Sequence, residues 1–394
     1  MLKGDYKMDK VKLGFLGVGH MGQLAHLMNY AQLSDFCEIP TLCDVKINQA
    51  RMLANQYGIP NVTADYREML SDSDITAITC IQQFENHINL VPEVLRAGKD
   101  VITEKPLCVF TENGEKLAQI AKETGMLHMV GCHKRSDPAT EHAMKVIDEW
   151  KRTGEMGKMT YIRISMPPGN YRKDADFPLD SGEPAGFVPP EKESKGVDED
   201  TRNRTIWFVN YYIHQVNLMR HLMGEDYRLT SAGKHFFTAE SESGINGILE
   251  LEPFMTSVDW QEHALACFEK GWIRIDFAAP LATQLSSTVT IYKDKGWDSE
   301  VIAPMMPNVC AMRNQAKNFL LAVKGEKPAP CISEEAVKDL RIAEDYIAMT
   351  SKSAGKAVAY NERNKKFDNC LYNIGHFLWI YVAVPYGKCK YCVL

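Results

Sequence analysis

The sequence predicts an α/β fold: an N-terminal, doubly wound parallel sheet followed by a second α/β domain built on an antiparallel sheet. Three observations carry this. Short apolar runs alternate with helix-compatible stretches up to about residue 131. A glycine-rich turn follows the first of those runs. From about Arg228 onward several strand-type segments follow one another with no helix between them. Strands alternating with helices through short connections form a parallel sheet covered on both faces, whereas consecutive strands pair antiparallel.

The chain has 394 residues, more than one average domain and enough for two. An apolar content of 45% and a charged content of 24% are ordinary for a globular protein. A net charge of -6 supplies no basic field for nucleic acid. The first eleven residues lack the apolar core of a signal peptide, so the eleven cysteines read as reduced thiols and the expected location is the cytoplasm. Cys389 and Cys392 form a C-x-x-C pair with no second pair behind it, so no metal site is expected.

The first strand is Val11–Leu16, followed at once by Gly17-Val18-Gly19-His20-Met21-Gly22 and a helix-compatible stretch from Gln23 to about Leu33. This is G-x-G-x-x-G in the strand–turn–helix context that binds a dinucleotide. The first glycine permits the tight turn, the second lets the backbone approach a pyrophosphate, and the third lets the helix pack on the strand with its amides facing the anion. Residues 39–43 read as a second strand ending in Asp44, about twenty residues beyond Gly22, the spacing of an acid that binds adenosine ribose hydroxyls. The alternative role for Asp44 is an N-cap for a helix over 48–57. A carboxylate there repels a 2′-phosphate by about 4 kcal/mol at ~4 Å and an effective dielectric of ~20, so NAD is favoured over NADP. Lys46 and Arg51 work against that preference.

Strands are further expected at 75–81, 100–103 and 127–131, and helices at 85–96 and 115–124. Right-handed crossovers bring the strand C-termini to one edge, where open α/β sheets bind ligands. Gly17, Asp44, Gln82 and Lys105 all stand just past such ends. Within Ala97-Gly98-Lys99-Asp100-Val101-Ile102-Thr103-Glu104-Lys105-Pro106, Lys105 is a positioned amine between a glutamate and a proline. An amine beside a nicotinamide would move a proton next to a hydride acceptor, which points to a dehydrogenase.

These strings resemble the Gfo/Idh/MocA family, the relatives of glucose–fructose oxidoreductase and inositol dehydrogenase. The similarity covers roughly residues 10 to 360. It rests on Gly17–Gly22, on Gln82-Gln83-Phe84-Glu85-Asn86-His87, on the A-G-K-x-V-x-x-E-K-P string, on Gly131-Cys132-His133-Lys134-Arg135, and on Asn210 and His214. The resemblance implies a Rossmann domain over 9–133 and a substrate and oligomerisation domain over 134–360 with a large, mostly antiparallel open sheet. A tail over 361–394 is atypical of it. It also implies that Lys105, after Glu104, contacts nicotinamide and the substrate hydroxyl, that the Lys105–Pro106 bond is cis, and that His87 lies near the cofactor. The alternative for His87 is a histidine at a helix N-terminus.

Residues 160–166 alternate in strand fashion. Residues 167–204 are rich in Pro, Gly and charge and read as a loop that arches over the substrate, reaches a neighbouring subunit, or is merely an insertion. Residues 207–222 form an apolar-stripe helix ending at Gly224, with Asn210, His214 and Asn217 on one face. The family pattern has an aspartate four residues before the histidine. Here Asn210 replaces it, and asparagine orients an imidazole without stabilising its cation. Further strands are expected at 247–251, 256–259, 271–277 and 288–292, closing helices at 314–323 and 334–349, and a final turn at 353–358. The apolar segment 377–385 is too short to cross a bilayer.

The expected activity is NAD-dependent oxidation of a secondary hydroxyl, or its reverse. The catalytic residues are Lys105, His214 and Asn210, and His133 and Arg135 contact substrate hydroxyls together with the last two. Gly17, Val18, Gly19, His20, Met21, Gly22, Asp44, Gln82, His87, Glu104 and Lys105 hold the cofactor. The resemblance implies a sugar, glycoside or polyol as substrate and a homo-oligomer, dimer or tetramer, with no membrane and no nucleic-acid partner. The rivals are a non-catalytic NAD-binding regulator and a glycosidase that uses bound NAD in redox-assisted hydrolysis.

Overall fold

Six strands, β1 (Val11–Leu16), β2 (Cys37–Cys43), β3 (Asn61–Thr63), β4 (Ala77–Cys80), β5 (Asp100–Glu104) and β6 (His128–Gly131), form a wholly parallel sheet in a computed structural model of the chain. The structure describes residues 10–173, 175–184, 186, 191 and 197–354. The described residues up to Met349 pack as one compact unit. The 353–358 turn, the 377–385 segment and the Cys389/Cys392 pair lie wholly or largely outside the described residues.

The strand order is β3-β2-β1-β4-β5-β6. It places the reversal of direction between β1 and β4, so the crevice opens beyond Leu16 and Cys80. Helices α1 (Met28–Ala31), α2 (Ile47–Tyr57), α3 (Tyr66–Ser71), α4 (His87–Arg96) and α5 (Thr111–Thr124) cover the sheet. The helix expected from Gln23 is irregular: its first stretch, Gly22–Leu27, is π-helical before α1 begins. Such wide turns gather at functional sites. Here the turn carries Gln23 and His26, both turned into buried hydrogen bonds.

Asp137 caps α6 (Pro138–Thr153) by accepting from the Ala139 amide; Pro138 opens the helix and Gly154 at φ 69° ends it. β7 (Met159–Met166) follows. Asp198 then caps α7 (Glu199–Met223), which starts eight residues before the expected helix and ends at Gly224 as expected. The remaining strands are β8 (Tyr227–Gly233), β9 (Phe236–Ser241), β10 (Asn246–Leu251), β11 (His263–Phe268), β12 (Gly271–Asp276), β13 (Thr288–Lys293) and β14 (Glu300–Ile302). Helices α8 (Ala311–Val323) and α9 (Ser333–Ala354) close the fold. The second sheet runs β14-β13-β12-β11-β7-β10-β9-β8 and is antiparallel except where β7 pairs with β10. Strands β10, β11 and β12 alternate strictly, so one face is buried under α6 and α7 and the other is half-exposed.

The expected strand over 256–259 is absent. The Thr256 amide and hydroxyl bond to Pro168 and Asp259 carbonyls, and Asp259 O accepts from the Asn170 amide, so this segment pairs with the long loop instead of the sheet.

Burial fixes the charge state of two histidines behind the β5 corner. His87 is fully buried and its ring is held down at about 4; His128, 2% exposed, is held down to about 3, mainly by burial and further by His87. Above pH 6.5 both rings are neutral folded or unfolded. Below it only the unfolded chain takes up these protons, so stability falls with pH until the folded values are reached. At pH 5 the loss is about 2 kcal/mol per ring. Urea unfolding at pH 7 and pH 5 checks this, and His128→Gln should remove about half of the difference; equal stabilities at the two pH values would refute it.

Candidate functional site

The glycine turn is built as a cradle. Gly17 has φ +100°, and a Cβ there would lie 2.1 Å from Ile81 O and 2.5 Å from Gln82 Nε2. A Cβ on Gly22 would lie 2.2 Å from Gly17 O, so only glycine lets the π-turn close on the strand. Gly19 is exposed and a Cβ there would meet nothing within 4 Å, which leaves its backbone open to a ligand. The Val18 carbonyl accepts from Gln23 Nε2 at 2.9 Å and Gln49 Nε2 at 2.7 Å, which braces the turn from behind. His20 Nε2 is buried without a hydrogen-bond partner, and burial followed by the Arg172 charge holds the ring below the ordinary histidine value. An open backbone at Gly19 and an unpartnered ring nitrogen beside it fit a dinucleotide pyrophosphate. Met21 packs inward beside Leu24 and Ala25.

Asp44 is half-buried at the end of β2. Its Oδ2 accepts from the Val18 amide at 2.7 Å and its Oδ1 from the Lys46 amide at 2.8 Å, so the acid is locked to the glycine turn. Lys46, not Asp44, takes the cap position of α2.

Gly19→Val separates fold from ligand. The position has room for the side chain and no positive φ, so thermal stability should stay within about 1 kcal/mol of the parent. Dinucleotide affinity should fall about tenfold or more, measured by calorimetric titration, because the side chain fills the space the pyrophosphate needs. Unchanged affinity would remove this turn from the binding site.

At the end of β5, Glu104 Oε1 meets His26 Nε2 at 2.7 Å, and Glu104 Oε2 accepts from the Lys105 amide at 3.2 Å. Glu104 is therefore spent on holding the corner. The Lys105–Pro106 bond is cis. His87 Nδ1 lies 3.0 Å from Leu107 O and its ring is fully buried, so the structure places His87 behind the corner as a brace and not on the cleft.

Lys105 Nζ donates to the backbone carbonyl of Asn210 at 2.6 Å. Burial pushes the Lys105 ammonium below the ordinary lysine range; Glu104 and Cys132 pull against that shift and Lys134 adds to it. One turn along α7, the His214 ring lies edge-on to His133 with centroids 4.3 Å apart. Both rings are held well below the usual value, first by burial and then by positive neighbours that include Lys105 and Lys134. Buried His214 Nδ1 has no hydrogen-bond partner, so Asn210 does not orient the imidazole through it as expected; Asn210 acts on Lys105 through its carbonyl.

Arg135 departs further from expectation. Its Nε donates to Asn217 Oδ1 at 2.6 Å and its guanidinium nitrogens to Pro330 O and Glu335 Oε2. Asn217 in turn donates to Asp339 Oδ2 at 2.6 Å. All three guanidinium nitrogens bond to protein acceptors, so Arg135 ties the strand end to α7 and α9. The residue the sequence reasoning passed over is its neighbour Lys134, which pairs with Glu262 at 2.5 Å, with both side chains at most 4% exposed. The loop expected over 167–204 docks beside the glycine turn, a contact the sequence did not indicate: Tyr171 faces His20, and Leu179 exchanges two hydrogen bonds with Gln23. Lys134 lay within a quoted string, but the loop carries no periodicity that would betray its docking.

Gly17, Asp44, Gln82, Lys105, His133 and His214 thus gather along the crevice, whereas His87, Glu104 and Arg135 support it from behind. Among the described residues no group of three or more His, Cys, Asp or Glu is placed to hold a metal, and no helix is long and apolar enough to cross a membrane.

Residues 11–132 match the Gfo/Idh/MocA oxidoreductase family, described as having an NAD-binding Rossmann fold. The chain is 27% identical over 226 residues to the scyllo-inositol 2-dehydrogenase (NAD(+)) of Bacillus subtilis, covering 57% of each chain. It is 28% identical over 174 residues to the levoglucosan dehydrogenase of Pseudarthrobacter phenanthrenivorans, covering 42% of each. It therefore spans about half the length of these curated relatives. In fold it resembles the UDP-N-acetylglucosamine 3-dehydrogenase of Acidithiobacillus ferrooxidans, with a TM-score of 0.63 at 18% identity over 88% of this chain and 99% of that one. The scyllo-inositol dehydrogenase of Lactobacillus casei gives 0.62 at 16% identity over 87% and 97%. The glycine cradle and the Glu104-Lys105-Pro106 corner both lie within residues 11–132, the segment that matches the Gfo/Idh/MocA oxidoreductase family.

Proposed function

We propose that the protein oxidises a secondary hydroxyl of a polyol, sugar or glycoside to a ketone, or runs the reverse reaction, with NAD as the redox partner. The observation that carries this reading is the Lys105 amine, anchored on Asn210 O at 2.6 Å beside the His133–His214 pair and depressed in pKa by burial. When bound, the nicotinamide supplies the hydride acceptor.

The chain's own residues handle the proton. As the hydride leaves the carbinol carbon, the hydroxyl proton must pass to a base. A neutral Lys105 keeps one N–H on the Asn210 carbonyl, which fixes the lone pair for the substrate oxygen. His214, held neutral by burial and by its cationic neighbours, is the poorer base and serves as a hydrogen-bond partner that places the hydroxyl. A carboxylate at position 210 would have raised His214; asparagine leaves the proton to Lys105. His133, packed edge-on, fixes the His214 ring. The half-exposed face of the large sheet, with Ile248, Leu265, Trp272 and Tyr292, is the surface on which we place a homo-oligomer.

The test is a screen of inositols, hexoses and glycosides with NAD, followed by the absorbance of reduced nucleotide. Stoichiometric reduced nucleotide with one of them supports the reading. Glycoside cleavage without net reduction would support the hydrolase instead, and nucleotide binding with no turnover would support a regulator.

A further inference from the structure

The loop after β7 docks on the parallel-sheet half through carboxylates. Glu183 reaches the start of α2: its oxygens accept from the Asn48 amide at 3.0 and 3.2 Å, the Gln49 amide at 3.1 Å and Asn48 Nδ2 at 3.0 Å. Ser181 Oγ donates to the same carboxylate at 2.7 Å. Three residues earlier in the loop, Asp180 Oδ1 lies 3.5 Å from Lys46 Nζ. Gly186 packs so closely on Val45 that a Cβ there would fall 2.9 Å from its side chain. The loop therefore lies along residues 45–49, directly after Asp44. A second loop glutamate, Glu191, is 2% exposed and accepts from the amides of Val109 and Phe110 and from Asn113, which fixes the far end of the strap.

This position has a chemical meaning. In a Rossmann crevice the residues just after the second strand face the adenosine ribose, and a 2′-phosphate is accepted there by nearby cationic groups. The chain offers two positive features at that place: the exposed amides at the start of α2 and the Lys46 ammonium. Both are already taken by carboxylates of the loop. Arg51, the remaining cation of that stretch, turns to Asn48 Oδ1 at 3.4 Å.

We infer that Glu183 and Asp180, brought from the other half of the molecule, are the residues that set this protein against 2′-phosphorylated dinucleotides. The inference rests on the dinucleotide reading above. It differs from a preference set by Asp44 alone, because Asp44 meets the ribose hydroxyls whereas the loop carboxylates neutralise what would otherwise attract the phosphate.

The experiment is calorimetric titration of NAD and NADP into the parent protein and into Asp180→Asn/Glu183→Gln, which keeps side-chain size and removes both charges. The parent should bind NAD the more tightly. In the double variant the ratio of the two dissociation constants should narrow by about tenfold or more, chiefly through tighter NADP, with NAD changed by about threefold at most. A ratio equal to that of the parent overturns the inference, as does an equal loss of both affinities, the sign of a loop that only holds the fold. A parent that binds neither nucleotide overturns the dinucleotide reading itself, a result distinct from an unchanged ratio.

Discussion

Lys105→Met should lower turnover by about 10³-fold or more while dinucleotide affinity stays within about threefold of the parent. The side chain removed is an amine beside the His133–His214 pair, half-buried, held on the Asn210 carbonyl at 2.6 Å and kept below the ordinary lysine range by its surroundings. Methionine matches its length and apolar stem, so the cis corner and the Glu104–His26 contact beneath it are left in place. What is lost is the acceptor for the hydroxyl proton and, in the reverse direction, the donor to the carbonyl oxygen. The pH profile gives a second readout. In the oxidation direction turnover should rise with pH through a single apparent pKa below the usual lysine value of about 10.4, because only the neutral amine accepts the proton. The residual activity of the variant should lose that limb. Full activity in Lys105→Met, or an unaltered profile, would transfer the proton to His214.

Much of this site was legible because its chemistry is local in sequence. Gly17, Gly19 and Gly22 must be glycines for reasons of backbone approach that any reader of a strand–turn–helix can state, and Asp44 follows at the spacing of one strand and one helix. The parallel sheet was readable from apolar runs such as Ala77–Cys80, buried on both faces. The antiparallel sheet was only half readable. β8 buries a single side chain and β9 alternates over only six residues, and their identity as strands comes from pairing, β9 with β10 and β8 with β9, which no local pattern announces. What could not be read is where long polar side chains go. Arg135 and Lys134 are adjacent and chemically alike, yet one turns to α7 and α9 and the other to Glu262, since the chain path places their acids on opposite sides. The same holds for His87, whose direction is decided by the Leu107 carbonyl beyond the cis bond. The docking of Glu183 and Glu191 depends on an aperiodic loop meeting helix ends more than sixty residues away in sequence.

Glu262→Gln should be the most damaging single change outside the crevice, at about 3–5 kcal/mol of folding stability at pH 7. Glu262 is fully buried just before β11, and its carboxylate accepts from Lys134 Nζ at 2.5 Å, Gln215 Nε2 at 2.6 Å and Trp260 Nε1 at 3.2 Å. Lys134, on the turn after β6, also lies over the Phe277 ring at 4.6 Å. Neutralising the acid leaves an ammonium out of water without its hydrogen-bonded counter-charge, a cost far above the net worth of the pair, because the pair itself roughly balances its own desolvation. The double variant Lys134→Met/Glu262→Gln should therefore recover most of the loss, in urea or calorimetric unfolding. A Glu262→Gln cost below about 1 kcal/mol, or no recovery in the double variant, would refute the argument. The pair also bears on the reaction. The Lys134 charge helps to hold both Lys105 and His214 down, so its removal in the double variant should move the rising limb of the pH profile to higher pH while the protein stays folded. A residue with only a packing role would leave that limb where it is, and the size of the displacement measures how much of the readiness of Lys105 to take a proton comes from a cation that never touches the substrate.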